Sequence, residues 1–337
     1  MRIRCKRCGE QLEVTARFCG ACGAVIVDAN AGRVIGGRYV LKERIGAGSI
    51  GVVYSAEQQG LGRKLAIKLL PAGAETDLTI VERFRREGEL LCQLRSAHTV
   101  TTYEFDRDPD GTLYIAMELS DGKSLAEVFQ QEGALAWPRV LRILSGLCDS
   151  LGEAHALGIV HRNLRPETIL VEYRQANPDF VKVLDFGLAK LLPAQLQLSP
   201  VGETVGAVEF MSPEQLMSRP IDARSDLYAL GVLGFLLVTG RHPFYRARTY
   251  GDLVAAHVRH PPELASSLLP GLPAEIDMVL ARCMEKDPER RFPDAASLAA
   301  LLGVMLAAVG PAPPPTDTIR TPEGDEDTAL APFPAKP

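Results

Sequence analysis

Four cysteines near the start of the chain have the spacing of a metal site. They form two Cys-x2-Cys pairs, Cys5 with Cys8 and Cys19 with Cys22, each followed by a glycine and separated by ten residues. The glycine allows a turn with positive φ, so that main-chain N–H groups can face sulfur. Two such turns facing each other predict a tetrahedral site of four thiolates. Because so short a segment has almost no core, the metal would supply most of its folding free energy.

Residues 1–23 resemble a small bacterial zinc ribbon, and the resemblance implies a structural Zn²⁺ bound by these four cysteines. Two disulfides or redox-active cysteine pairs are the alternative. The other three cysteines are scattered in apolar segments, which suits a reducing cytosol with one metal site rather than a disulfide framework. Basic residues near the first pair could contact nucleic acid, although a solvated basic face is the favoured interpretation. These residues are Arg2, Arg4, Lys6 and Arg7.

A glycine-rich turn between two β-prone segments is a second chemical signal. Gly46, Gly48 and Gly51 follow a strand-like run at 38–45, and Val53 begins another strand. Glycines allow such a hairpin to lie over phosphate groups with its main-chain N–H groups. A dinucleotide-binding fold uses the same glycine spacing but continues into a helix, so the strand that follows argues against that fold.

Further motifs in the expected order resemble the bacterial Ser/Thr protein kinases of the eukaryotic type. Leu65–Lys68 resembles the strand whose lysine holds the α- and β-phosphates of ATP, and Asp185–Gly187 resembles the magnesium-binding motif. The resemblance implies an α+β fold with two lobes, a small β-rich lobe at 37–119 and a large helical lobe at 120–308. The zinc ribbon precedes this kinase-like domain.

The resemblance also implies the contacts of ATP and Mg²⁺ (or Mn²⁺). Glu87, in a helix predicted at 78–95, would pair with Lys68, and the main chain at 117–119 would meet the adenine edge. Asp185 and Thr168 would hold the metal. The implied ATP-binding residues are Gly46, Gly48, Gly51, Val53, Ala66, Lys68, Glu87, Met117, Glu118, Leu119 and Leu170.

The stretch His161–Leu170 resembles the catalytic loop of the family but differs from it where chemistry is done. Asn163 stands in place of the Asp base, Arg165 in place of a Lys, and Thr168 in place of a metal-binding Asn. Asn163 is neutral and cannot take a proton from the substrate hydroxyl. Arg165 is longer and forked, and the Thr168 hydroxyl is a poorer metal ligand than an amide carbonyl.

Other residues around the loop follow from the same resemblance. Ala207 stands in place of a Thr that would hydrogen-bond the base and the Lys, so a fourth member of the cluster is altered. A buried Asp226 is expected to hold the loop main chain, and Arg291 is expected to pair with Glu214. We therefore expect the catalytic set of Asn163, Arg165, Lys68 and Asp185 to retain binding but not efficient transfer.

Composition and charge set the remaining expectations. A net charge of −5 argues against a general nucleic-acid binder. The sequence has neither ~18 uninterrupted apolar residues nor the start of a signal peptide, so a cytoplasmic protein without membrane insertion is expected. Tyr228–Val238 is the most apolar run and predicts a buried helix. Residues 24–36 lack a helical period and predict a linker.

The last segment, 309–337, is acidic and rich in proline, which predicts disorder. An ordinary solvated tail is favoured over a set of phosphoacceptors. The candidate phosphoacceptors are Thr316, Thr318, Thr321 and Thr328.

These observations predict a signalling protein that binds Mg-ATP and acts as a transfer-deficient pseudokinase, as a scaffold or as an allosteric regulator. Its partners would be proteins, including an active kinase that phosphorylates Ser199 or Thr204. One alternative is an active Ser/Thr kinase with a divergent loop. A second alternative is a docking ribbon, for nucleic acid or protein, that the kinase-like domain regulates.

Overall fold

Two structural units make up the chain: Met1–Asp121 with Leu184–Pro200, and Gly122–Val183 with Val201–Pro337. The computed structural model describes only part of the sequence. The described residues are 2–4, 7–13, 19–23, 28, 30–48, 51–70, 88–174, 177–186 and 208–309. The segment 78–87, the activation segment at 188–207 and the tail at 310–337 therefore lie outside them.

The first unit contains an N-terminal hairpin and a six-stranded antiparallel sheet in the order β3-β4-β5-β6-β8-β7. The hairpin pairs β1 (Arg2–Arg4) with β2 (Gln11–Glu13). The strands of the sheet are β3 (Val34–Ile35), β4 (Tyr39–Gly48), β5 (Gly51–Gln58), β6 (Arg63–Leu69), β7 (Thr102–Arg107) and β8 (Leu113–Met117). One face of the sheet buries Leu41, Tyr54, Ile67 and Tyr114, as expected for strands that alternate apolar and polar residues.

The predicted linker at 24–36 is not free of the small lobe. Its last residues form β3, which pairs with β4 through Val34↔Val40 and Ile35↔Tyr39. Arg33 lies 3.1 Å from Asp108 and 2.5 Å from Asp110, and the Gly36 N–H donates to Asp108 over 2.8 Å. A two-residue strand is too short to show a period in the sequence, and its partners lie about seventy residues away.

The second unit is mostly helical, with one small sheet in the order β11-β10-β9. Its strands are β9 (Lys123–Ser124), β10 (Ile169–Arg174) and β11 (Asn177–Val183). The helices are α1 (Leu125–Glu132), α2 (Trp137–Ala156), α3 (Pro213–Leu216), α4 (Ala223–Thr239), α5 (Tyr250–Arg259), α6 (Ala265–Leu268), α7 (Ala274–Cys283) and α8 (Ala295–Val309). Short 3-10 turns lie at Pro166–Thr168 and Pro288–Arg290.

Helix α4 forms the core of this unit, in agreement with the buried helix predicted from Tyr228–Val238. Every residue from Ser225 to Val238 is buried. Two glycines in it allow close packing, because a Cβ at Gly231 would lie 2.6 Å from that of Cys283, and one at Gly234 would lie 2.7 Å from Leu280. The helix begins at the N-cap Asp222 and ends at Gly240, which has φ 73°.

The C-terminal helix α8 is more apolar than the sequence analysis expected. The segment Pro288–Val309 is the one described helix that is long and apolar enough to cross a membrane, with 22 residues, a mean hydropathy of 1.8 and 22% of its residues buried. Length and composition alone are weak evidence for a membrane span, since core helices of soluble proteins pass the same test. Ala295, Leu298 and Leu302 are buried, whereas Val304 is 69% exposed.

Candidate active site

The glycine-rich hairpin lies between β4 and β5, as predicted. The paired residues include Gly48↔Gly51 and Gly46↔Val53, and Val53 in turn pairs with Lys68 on β6. Gly51 has φ 144°, and a Cβ there would lie 2.2 Å from the carbonyl oxygen of Leu69, so only glycine fits. The hairpin thus brings backbone without side chains close to the strand that carries Lys68.

Lys68 and Asp185 form an ion pair in the first unit. The Lys68 side chain is 3% exposed, and its Nζ lies 2.8 Å from Oδ2 of Asp185. Asp185 has a φ of 61°, which is unusual for a residue with a Cβ and is typical of strained functional positions. Glu87, the predicted partner of Lys68, lies outside the described residues. Phosphates and a divalent cation would each need one member of the observed pair, the lysine for phosphate and the carboxylate for metal.

The predicted hinge follows directly after β8. Met117 is buried and pairs with Ala66 across the sheet. The Glu118 N–H donates to the Thr101 carbonyl over 2.8 Å, and the Thr101 N–H donates to the Glu118 carboxylate over 3.2 Å. The Glu118 N–H is therefore already used, so an adenine edge would have to bind other main-chain groups of 117–119. Leu170, the last predicted adenine contact, belongs to β10 of the second unit.

The catalytic loop is held by Asp226 on α4, as predicted. One carboxylate oxygen accepts the His161 N–H at 2.9 Å and contacts His155 Nε2 at 2.8 Å, and the other accepts the Arg162 N–H at 2.9 Å. Asp226 is 1% exposed, and Arg162 is held at φ 68°. A buried carboxylate with several donors fixes the loop main chain, because leaving any of these groups unpaired would be costly.

The second anchor is the buried ion pair between Glu214 and Arg291, also as predicted. Arg291 donates to the two carboxylate oxygens over 2.7 and 2.9 Å, and Ser225 Oγ donates over 2.5 Å. Burial alone would raise the pKa of Glu214, but Arg291 and Ser225 outweigh burial and lower it. The carboxylate therefore stays charged in the interior.

Thr168 is turned toward the loop itself. Its hydroxyl accepts the Arg165 N–H over 3.1 Å and lies 2.9 Å from the Arg165 carbonyl and 3.3 Å from the Asn163 carbonyl. The residue is 6% exposed. Because these main-chain groups already use its donor and an acceptor position, the role of Thr168 as a magnesium ligand stays a prediction that this geometry does not favour.

Asn163 carries a neutral amide where a base would be needed. Within the described residues its main chain contacts His161 Nδ1 and the Thr168 hydroxyl, whereas its side chain makes no hydrogen bond. The loop thus presents a group that can accept a hydrogen bond through oxygen but cannot take a proton at neutral pH.

Three charged side chains gather beside Asn163, and one of them was not singled out from the sequence. Arg165 Nε lies 3.3 Å from Glu167 Oε2, and this nitrogen is buried without a hydrogen bond among the described residues. Glu209 joins them. Burial first and the Glu167 charge second raise the pKa of Glu209 to about 7, while Arg165 acts in the opposite direction. The Glu209 carbonyl contacts His242 Nε2 at 2.8 Å, which fixes its position. Its place just before Phe210 was the only sequence signal, and Ala207 lies outside the described residues.

The ribbon cysteines meet as a metal site requires. The Sγ atoms of Cys8, Cys19 and Cys22 lie within 4.8 Å of one another, and Cys8 and Cys19 are 3.5 Å apart. Thiolates on one tetrahedral Zn²⁺ are roughly 3.8 Å apart, because each Zn–S bond is about 2.3 Å long. Gly9 and Gly23 have φ of 78° and 68°, as the turns require. Cys5 lies outside the described residues. The close contact joins the two Cys-x2-Cys pairs, so the donor set fits zinc better than a disulfide within each pair.

A two-lobed fold, a glycine-rich hairpin with its lysine, and a loop held by a buried aspartate define a protein kinase. Comparison with known families agrees. A protein kinase domain model matches residues 39–300 and a zinc-ribbon domain model matches residues 4–26. The chain belongs to the bacterial Ser/Thr protein kinase family, and its N-terminal segment belongs to the zinc ribbons.

Individual relatives fit this assignment. The serine/threonine-protein kinase Pkn1 of Myxococcus xanthus is 39% identical over 271 residues, which are 80% of this chain and 38% of Pkn1. The kinase pkn3 of the same species is 33% identical over 92% of this chain and 56% of its own length. The crystal structure of the PknI kinase domain of Mycobacterium tuberculosis is 25% identical with a TM-score of 0.63, and the match covers 83% of this chain and all of that domain. The chain spans about two-fifths to just over half of the length of these two curated relatives.

Proposed function

We propose that this protein binds Mg-ATP but transfers the γ-phosphoryl group poorly, and that it works in signalling as a scaffold or an allosteric regulator of other proteins. The observation that carries the proposal is the catalytic loop. Its frame is complete, while Asn163 is neutral and the Thr168 hydroxyl is occupied by the loop's own main chain. A general base contributes about 10²–10⁴ in rate, or roughly 3–5 kcal/mol of the barrier.

Nucleotide binding rests on the small-lobe groups. Lys68 would donate to phosphate oxygens and Asp185 would ligate Mg²⁺, which when bound would screen the phosphate charge. Both groups are available at the price of their own ion pair alone. The hairpin glycines leave room for phosphates beside Lys68. Binding therefore needs none of the altered residues of the catalytic loop.

A comparison of three proteins tests the proposal: the wild type, Asn163→Asp and Lys68→Met. Transfer of radiolabelled phosphate from ATP to the protein itself and to a generic substrate would be measured. We expect background transfer by the wild type and a gain for Asn163→Asp of up to about 10²–10⁴-fold, because a base is restored. Strong transfer by the wild type that Lys68→Met abolishes would refute the proposal.

Binding is measured separately, with a fluorescent ATP analogue and Mg²⁺. We expect the wild type and Asn163→Asp to bind equally well, and Lys68→Met to bind more weakly. Lys64→Met is the matched control, since Lys64 is exposed on the same strand. If Lys64→Met weakened binding as much as Lys68→Met, the nucleotide would not be held by Lys68.

An active kinase is the second candidate, and Glu209 is the observation that favours it. A base works best when its pKa is near the working pH, and the carboxyl of Glu209, beside Arg165, has a pKa of about 7. In this alternative Glu209 replaces the missing base. Wild-type transfer that is lost in Glu209→Gln, at unchanged nucleotide binding, would support the alternative over the pseudokinase.

The zinc site, the location and the partners belong to the same proposal. We infer one structural Zn²⁺ in the ribbon, a cytoplasmic protein, and protein partners that include a kinase acting on Ser199 or Thr204. Zinc content of the purified protein, cell fractionation and phosphopeptide mapping test these points in turn. An activation segment without phosphate in cells that contain the active partner would contradict the last.

A further inference from the structure

An apolar groove with no role in the proposed chemistry lies on the second unit. It has a volume of about 380 Å³ and lies between the α1–α2 connection, the end of α4 and the loop after α6. Apart from main-chain atoms it is lined by apolar side chains alone. These are Ala134, Leu135, Ala136, Trp137, Val238, Leu269, Pro270 and Leu272, with Gly271 completing the wall. A groove with an aromatic side chain and uncharged walls fits an apolar peptide segment.

Trp137 gives this groove a specific chemistry. Its ring is half-buried at the start of α2, and its indole N–H donates no hydrogen bond to the described residues. Proline-rich segments in the polyproline II conformation dock against such aromatic rings, because their rings pack on the aromatic face and their carbonyls remain free to accept a hydrogen bond. They also lose little entropy on binding, because the conformation is already formed.

Helix α8 carries the chain toward the groove. A Cβ at Gly152 would lie 3.9 Å from that of Ala295, so the start of α8 packs near the end of α2. Only four residues of α2 remain beyond Gly152, so α8 can pack along α2 only by running back toward Trp137. From Gly152 to Trp137 and from Ala295 to Val309 the two helices each span about 21–23 Å at about 1.5 Å per residue.

The sequence that follows α8 has the matching composition. Gly310 is followed by Pro311-Ala312-Pro313-Pro314-Pro315, which is uncharged, and the acidic part of the tail begins only at Asp317. In a polyproline II helix five residues reach about 15 Å. The segment therefore has the length, the charge and the starting point that the groove requires.

We propose that residues 311–315 dock in the Trp137 groove of the same chain in a polyproline II conformation. The tail is then held against the second unit at its start, and its acidic part, with Thr318, Thr321 and Thr328, projects from a fixed point. The proposal is independent of whether the loop at 161–170 transfers phosphate.

Trp137 is the one tryptophan in the sequence, so the intrinsic fluorescence of the full chain reports the groove directly. The test compares the wild type with a variant carrying Pro313→Ser, Pro314→Ser and Pro315→Ser. The matched control carries Pro332→Ser and Pro334→Ser in the same tail. We expect a red-shifted emission maximum and stronger acrylamide quenching in the first variant only. A synthetic peptide of residues 311–317 should reverse both changes.

Each other outcome overturns the proposal. Equal emission of the wild type and the 313–315 variant would show that the segment does not cover Trp137. Equal shifts in both variants would assign the groove to another part of the tail. A wild-type signal that depends on protein concentration would mean that the tail of a second copy, or another partner, occupies the groove instead.

Discussion

Asp226 and Asn163 both belong to the surroundings of the catalytic loop, but the two residues are placed in opposite ways. Asp226 is 1% exposed and binds three groups, whereas the side chain of Asn163 is half-buried and makes no hydrogen bond to the described residues. The same contrast separates the Glu214–Arg291 pair from Arg165, whose Nε is buried without a hydrogen bond. The frame of the loop is thus complete while its chemical groups are altered.

This contrast has a physical reason. The frame carries the free energy of folding, because buried charges that lose a partner cost several kcal/mol. The groups that act on a substrate contribute little to folding, so they can change while the loop keeps its shape. Substitutions in the frame should therefore change stability first, and substitutions in the loop should change chemistry first.

The largest effect is expected for Arg291→Met, which leaves the Glu214 carboxylate buried without its cation. The free energy of unfolding should fall by about 3–5 kcal/mol, as measured by urea denaturation of the full chain. Arg224→Met is the matched control, because Arg224 pairs with the exposed Asp222 and Glu289, and exposed pairs contribute about 0–1 kcal/mol. Equal losses in the two variants would contradict the distinction between frame and surface.

Asp226→Asn should have the next largest effect. The amide keeps one acceptor oxygen but points an NH₂ group at a main-chain N–H, so at least one charge-assisted hydrogen bond is lost, worth roughly 1.5–3 kcal/mol. Urea denaturation measures the loss, and limited proteolysis near Arg162 should show a looser loop. Asp149→Asn, an exposed change on α2, should leave both unaffected. A variant as stable as the wild type would show that Asp226 does not hold the loop.

Thr168→Val separates a structural hydroxyl from a metal ligand. Removal of the hydroxyl leaves the Arg165 N–H without its acceptor, so we expect a loss of about 1–3 kcal/mol in unfolding free energy. Nucleotide affinity in Mg²⁺ should stay unchanged. Thr168→Ser, which keeps the hydroxyl, should behave as the wild type. A variant of normal stability with weaker Mg²⁺-dependent binding would restore Thr168 as a metal ligand.

Sequence reasoning could predict the frame because each of its parts lies in a motif of its own. Asp226, Glu214 and Arg291 were expected in the roles that the structure gives them, and Gly9 and Gly23 have the positive φ that the Cys-x2-Cys turns require. The two-lobed fold followed from the order of such motifs. Local patterns of this kind are visible in the sequence because neighbouring residues produce them.

Contacts between distant segments could not be predicted in the same way. Arg33 pairs with Asp108 seventy-five residues away, so the predicted linker became a strand of the small lobe. Lys68 contacts Asp185, although the sequence suggested Glu87. The surroundings of Glu209 depend on Arg165 and Glu167, which lie about forty residues earlier. Burial and charge at Glu209 arise from folding and leave no pattern in the sequence.

Glu209→Gln tests this last feature and should have the smallest effect on stability. The folded pKa of about 7 lies above the ordinary value of 4.5, so between these values the folded state binds more protons than the unfolded state. Stability from this group is therefore fully present at low pH and is lost as pH rises from about 4.5 to about 7. Because the carboxyl is partly exposed, the loss should be on the order of 1 kcal/mol.

Glutamine does not titrate, so the variant should lack this decline and should exceed the wild type in relative stability above about pH 7. Urea denaturation at a series of pH values from 4.5 to 8 measures the difference. Glu172→Gln, an exposed or half-exposed change on β10 outside the cluster, is the control and should follow the wild-type curve. Parallel curves for wild type and Glu209→Gln would mean that Glu209 is solvated and carries an ordinary pKa. The carboxyl would then be unsuited to act as a base at neutral pH, and the altered loop would have no substitute for Asn163.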